Sequence, residues 1–362
     1  DGNQAGSVFS IDPDIDVTLS DMTIQEGKAA QSGGGIYNKG TLKLDSCIIS
    51  ENNAQYKGSG IYNDNGQMTI TGSRVSNNHD ATGLYGYGIG GGICNEGKMS
   101  IIESDIIGNE VYSGPSDIGG GGIYNSGTLT IIGGTISGNI AHYEGGGIYN
   151  SGTIDITDGI ISDNFVHHGG PGGGIYSDSG KMTITRTTIS GNNGGGILNA
   201  GTMDILDDSI ITRNNVFYSG GGISNSGTIT ISSSTISNNG AAYGGGICSS
   251  GTMVISSGTI SENHADNAGG IYNIWSGSLF IGGTSQIITN QASLGEGGGI
   301  CSNNNKVTLD GTGVDVKYNK AHLPSPSEFS WYQGWGLYLN SGTPTTTNGF
   351  DPAKQVIDNT QI

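Results

Sequence analysis

The phrase Gly-Gly-Gly-Ile-Tyr-Asn-Ser-Gly-Thr, whole or worn, recurs every 22 to 32 residues or so and sets isoleucine at Ile36, Ile61, Ile93, Ile123, Ile148, Ile175, Ile197, Ile223, Ile247, Ile271 and Ile300. A degraded copy surrounds Trp335 to Tyr338. A period of that size with strand-like contents is that of a solenoid, where each repeat buries its apolar face only against its neighbours. Long helices are improbable on the same grounds. Of 362 residues 69 are glycine, and each glycine inside a helix costs about 1 kcal/mol.

Between the phrases, apolar and polar residues alternate with the period of a half-buried strand. Leu129 and Ile131 alternate with Thr128 and Thr130, and equivalent pairs run from Leu42/Leu44 through Met68/Ile70, Ile154/Ile156, Met203/Ile205 and Met253/Ile255 to Val307/Leu309. A second short strand ends in Ile-Ser-x-Asn, as at Ile136 to Asn139, with relatives at Ile49, Val75, Ile107, Ile161, Ile211, Ile236, Ile288 and Val316. Three strands per coil and about four inward aliphatics predict an all-β parallel β-helix with a dry core, of about 12 coils. Residues 1–30 read as an N-terminal capping coil, 31–319 as the repeats, and 320–362 as a long loop, a last coil and an irregular C-terminal cap.

Two files of polar residues accompany the strands. After the Gly-Gly-Ile stretch come Asn38, Asn63, Asn95, Asn125, Asn150, Asn199, Asn225 and Asn273, with serine at Ser177, Ser249 and Ser302. A second file runs through Asn52, Asn78, Asn109, Asn139, Asn164, Asn192, Asn214, Asn239, Asn263, Asn290 and Asn319. At the strand spacing of about 4.8 Å, asparagines in such files can hydrogen-bond along the stack, so both are expected to be structural ladders. The tyrosine file Tyr37, Tyr62, Tyr124, Tyr149, Tyr176 and Tyr272 has cysteine, leucine or serine in its other slots, which favours packing over a sugar-stacking platform. Cys94, Cys248 and Cys301 share that slot in coils at least two apart, beyond bridging distance. With Cys47 they are expected to be free, buried thiols.

Gly-Gly-Gly-Ile paired with Ile-Ser-x-Asn resembles the repeat of the polymorphic outer-membrane proteins, whose units carry Gly-Gly-Ala-Ile and Phe-x-x-Asn, and the adhesin-type β-helix repeats of microbial surface proteins. The resemblance covers roughly residues 30 to 320. It implies a right-handed helix exported to a cell surface with an adhesive role. Isoleucine here replaces the family's phenylalanine, and no carboxy-terminal membrane barrel follows.

Function is expected where the repeat is broken. Loops of variable length precede each Gly-Gly-Ile, long at 79–89, 110–118 and 320–333, and all leave the same edge of the solenoid. They carry every histidine and many aromatics, which makes Tyr85, Tyr87, Tyr112, His142, Tyr143, His167, His168, Phe217, Tyr218, Tyr243 and Trp331 a candidate contact rim for a glycan, a protein or another copy of the chain. The competing reading is that these rings fold back over the glycine strand.

Three other functions find some support in the residues. Parallel β-helices also resemble pectate-lyase-like lyases and hydrolases, which need converging carboxylates and a base. Asp155, Lys181 and Asp204, on exposed strand slots of successive coils, are the best such set, with Asp158, Arg186 and Asp207 at the next turn. Their alternating signs are equally those of a surface ion-pair ladder. Thr128/Thr130 and Thr228/Thr230 resemble the threonine ladders of ice-binding proteins, interrupted here by Lys43, Asp155, Val254 and Phe280. For a metal, His142 with His167 and His168 come from adjacent coils and the acidic turns could hold Ca²⁺, but no His-x-x-x-His or Cys-x-x-Cys spacing and no calcium-binding glycine-aspartate repeat occurs, so no cofactor is expected.

Charge narrows the partners. A formal net charge of -18 repels nucleic-acid phosphates and anionic lipid. No run reaches the roughly 18 apolar residues of a membrane span. Asp1 opens without a signal peptide, so the chain reads as a mature or trimmed extracellular product. Uncovered solenoid ends would stack head to tail into filaments.

Overall fold

The computed structural model describes residues 6–80, 88–112, 119–295, 297–303 and 306–321, with short strands at 337–339, 345–347 and 360–361. It is an all-β, right-handed parallel β-solenoid of about 11 turns. The chain divides into two compact units, Asp1–Thr183 with Thr187–Gly194, and Ile184–Arg186 with Gly195–Ile362. No helix among the described residues is long and apolar enough to cross a membrane.

In the first unit every pairing is parallel and in register. On one face Ile36, Ile61, Ile93, Ile123, Ile148 and Ile175 are successive partners. On the second, Val17, Leu42, Met68, Met99, Leu129 and Ile154 follow one another. On the third, Ile24, Ile49, Val75, Ile106, Ile136, Ile161 and Ile189 do so. Apart from the half-exposed Val17, all of these side chains are buried, and each contributes about 1.5–3 kcal/mol relative to an exposed position. The second unit repeats the plan, with Ile197, Ile223, Ile247, Ile271, Ile300 and Leu337 stacked on its first face.

Two details of the register differ from the sequence reading. The core takes Ile106 and Ile287, whereas Ile107 and Ile288 are only half-buried. Adjacent aliphatics made the choice ambiguous. Counting back three residues from Asn109 and Asn290 resolves it. Most coils also gain a fourth strand, mostly of two residues, where the sequence suggested only a loop; the coils after Thr188–Ser190 and Ile210–Thr212 lack it. In the first unit its inward positions are Ala29, Ala54, Asp80, Val111, Ala141 and Val166, a narrow column in which one member is a carboxylic acid.

The pairing of Gly-Gly-Gly-Ile with Ile-Ser-x-Asn has a steric cause. A Cβ on Gly122, the last glycine of its phrase, would lie 2.6 Å from the Gly147 carbonyl oxygen of the next coil and 3.0 Å from the Asn139 side-chain amide. The glycine strand therefore passes directly over the asparagine column. That column is fully buried and fully bonded: Asn139 Nδ2 donates to Asn164 Oδ1 at 3.0 Å and to the Ile106 carbonyl at 2.9 Å, while its Oδ1 accepts from both the backbone and side-chain nitrogens of Asn109 at 3.0 Å. The same geometry runs from Asn52 to Asn192 in the first unit and from Asn214 to Asn319 in the second. Unpaired amides in such a dry interior would each cost about 1–3 kcal/mol.

The other file is linked by Asn38 Nδ2 to Asn63 Oδ1, Asn63 to Asn95, Asn95 to Asn125 and Asn125 to Asn150, at 2.7–2.9 Å. Asn38 Oδ1 is buried without a donor, as befits the first rung. In the second unit Asn199 donates to Asn225, Asn225 to Ser249 and Asn273 to Ser302, so serine oxygens accept the same bond. All four cysteines are free and buried.

Candidate functional site on the loop rim

The tyrosine file is covered. Tyr62, Tyr124 and Tyr149 are at most 8% exposed and pack with Cys94. Tyr124, Tyr149 and Tyr176 stack with ring centroids 5.5 and 5.0 Å apart. The Tyr62 hydroxyl donates to Glu96 at 2.6 Å, and Lys57 donates to the other oxygen of that carboxylate. Burial, then Glu96, pushes the Tyr62 phenol well above its ordinary pKa, so it acts as a donor and is no base.

The rim is different. Glu110, Ile140 and Phe165 are successive partners on the fourth strand, and Val111, Ala141 and Val166 behind them point inward. One residue further on, the register brings Tyr112, His142 and His167 into line in three consecutive coils. The Tyr112 and His142 rings lie 4.2 Å apart, those of His142 and His167 4.8 Å, and Phe165 stands edge-on to His167 at 4.8 Å. His142 Nε2 is 3.9 Å from Glu110 Oε1. Ligating atoms of Glu110, His142 and His167 all fall within 4.8 Å of one another, and all three residues are half-buried.

A one-turn helix, His167–Gly169, shapes this edge. His168 adopts the left-handed conformation (φ 56°), so its ring also turns back toward the cluster, 5.9 Å from His142 and stacked at 5.2 Å on Tyr143. Burial, reinforced by His167, lowers the His142 pKa, while Glu110 pulls it the other way. A hydrogen bond to Glu110 raises the Tyr112 phenol. Beside them Asp80 is 5% exposed, and neither carboxylate oxygen has a partner of standard hydrogen-bond geometry among the described residues. Burial, with a smaller push from Glu110 and against the pull of the Tyr112 backbone amide, raises its pKa to about 7.

In the second unit the loops ahead of Gly-Gly-Ile carry exposed aromatic rings. Phe217 and Tyr218 are 77% and 65% exposed and stand edge to face at 5.0 Å. Tyr243, 44% exposed, donates its amide to the Tyr218 carbonyl and lays its ring on Tyr272 at 5.8 Å. Folding back over the glycine strand therefore describes Tyr243 and not Phe217 or Tyr218. Tyr85, Tyr87 and Trp331 lie outside the described residues.

The strand-face carboxylates do not share one slot with the lysine. Asp155 is the third residue of Thr153–Thr157, and Asp204 the third of Thr202–Leu206, but Lys181 opens Lys181–Thr185, whose third residue is Thr183. The alternating-charge file expected from sequence is thus broken by a threonine. Asp155 pairs with Thr130 and Asp204 with Thr230, and among the described residues Asp155 and Lys181 enter no ion pair.

Sequence reasoning had the histidines on the rim but missed Glu110 and Asp80. Both sit on the short fourth strand, and the usable signal was their offset from the ladder: Glu110 follows Asn109 directly, while Tyr112, His142 and His167 each stand three after an asparagine of that file. No family model, no curated protein and no solved structure matches this chain.

Proposed function

We propose that this chain is a non-enzymatic, extracellular structural protein of adhesive type that holds a neutral glycan on its loop rim. The observation that carries the reading is the pair Phe217 and Tyr218, two large rings placed side by side in solvent where they add little to the fold. Exposed aromatics of this kind offer a stacking face and, in tyrosine, a polar handle. The formal charge of -18 disfavours an anionic polymer and leaves a neutral one. The repeat's resemblance to adhesin-type β-helices supports the extracellular placement.

A glycan array probed with the purified chain tests it. Neutral glycans should be retained, and Phe217→Ala with Tyr218→Ala should weaken binding by about 10-fold or more per ring removed. Binding confined to a protein partner, or unchanged in the double variant, would overturn the glycan assignment.

A further inference from the structure

We propose that Glu110, His142 and His167 form a binding site for a divalent transition metal of the zinc type on the rim of the first unit. The site is assembled by register: three successive coils each contribute one ligand, and the inward residues Val111, Ala141 and Val166 anchor the strand beneath. Two imidazole nitrogens and one carboxylate oxygen within 4.8 Å of one another are a donor set of the kind zinc takes in three-ligand sites. A tetrahedral ion with metal–ligand bonds of about 2.0–2.1 Å needs its ligands roughly 3.3 Å apart. His142 Nε2 and Glu110 Oε1, at 3.9 Å, are close to that already.

The surroundings restrain the ligands. Tyr112 hydrogen-bonds the Glu110 carboxylate, its ring lies against His142, and Phe165 stands edge-on to His167. Orienting contacts of this sort are what metal sites place behind their ligands. Calcium, which takes six to eight oxygens, does not suit a pair of imidazoles. Three protein ligands leave a fourth position, for water or for the exposed His168. The site is independent of the aromatic pair on the second unit, so either assignment can fail alone.

Isothermal titration of the untagged, chelator-treated chain with Zn²⁺ tests the proposal, with Co²⁺ as a spectroscopic probe of coordination. The expected result is one equivalent bound, a tetrahedral Co²⁺ absorption band, and a rise in thermal midpoint with metal. His142→Ala and His167→Gln should each weaken binding at least about 100-fold, because a metal bond is lost. Tyr112→Phe, which keeps the ring and removes only the hydroxyl, should weaken it roughly 10-fold. His264→Ala, in the other unit, should leave it unchanged, and circular dichroism of each variant checks that the solenoid persists. Affinity weaker than about 1 mM in the parent chain, or affinity indifferent to both histidine variants when they are folded, would overturn the site.

Discussion

Asn109, Asn139 and Asn164 stand in three consecutive coils, and so do Tyr112, His142 and His167, three residues further along the same chain segments. The spacing is identical and the chemistry is not. The first column lies in a dry interior where every amide must bond to the next, so only asparagine serves. The second faces water, where nothing in the fold demands a particular residue, and its side chains are free to differ from coil to coil. A solenoid of this kind fixes distance through its buried columns and leaves chemistry to the outer ones.

Breaking the inner column should be the most damaging change. Asn139→Ala removes the acceptor of two Asn109 donors and the side-chain donor to the Ile106 carbonyl, leaving Asn164 Oδ1 only the backbone amide of residue 139, and should cost roughly 3–5 kcal/mol in denaturant unfolding of the first unit. Asp80 is an outer type of residue in an inner column, and it sharpens the contrast with the opposite sign. Its folded pKa of about 7 lies above the ordinary 3.8. The unfolded chain therefore releases its proton first, and the folded state loses stability as pH rises from about 4 to about 7, then levels off. Asp80→Ala, matching Ala54 of the preceding coil in its column, should stabilise by up to roughly 4 kcal/mol above pH 7, at about 1.4 kcal/mol per pH unit. The gain should vanish near pH 4, and unfolding curves at the two pH values check it.

Gly122→Ala tests the floor on which the inner column rests. The added Cβ has no room between the Gly147 carbonyl and Asn139, and a loss of about 1–3 kcal/mol is expected in the same assay. The outer columns should be nearly indifferent: Phe217→Ala with Tyr218→Ala should change unfolding free energy by no more than about 0.5 kcal/mol. A larger loss would show that the rings are structural after all, and would weaken the case for recognition.

Much of this contrast can be read from sequence. The asparagine and isoleucine columns announce themselves because burial permits so few residues that the phrase survives from coil to coil. Ile106 and Ile287 were misplaced by one residue because their neighbours are equally apolar, and hydrophobicity alone cannot choose between adjacent isoleucines. Lys181 was misplaced for another reason. An exposed strand face tolerates charge at its first and third positions alike, so polarity gives no register there. Glu110 and Asp80 escaped notice because a two-residue strand has too few positions for alternation to be seen. Proximity on the rim follows from pairing between strands, which becomes visible only once every coil is aligned on its ladder asparagine.

The central claim, that like positions pile one over the next without slippage, is open to a direct chemical measurement. Thr130 and Asp155 are strand partners facing outward, so Thr130→Cys with Asp155→Cys puts two thiols on Cα atoms about 4.8 Å apart, inside the disulfide range of about 4.4–6.8 Å. Mild oxidation followed by mass spectrometry should find that bridge formed, while Thr130→Cys with Thr157→Cys, displaced by two residues to roughly 8 Å, should stay reduced. A bridge in the displaced pair at the same rate, or none in the aligned pair, would contradict the register on which the buried ladders and the rim cluster both depend.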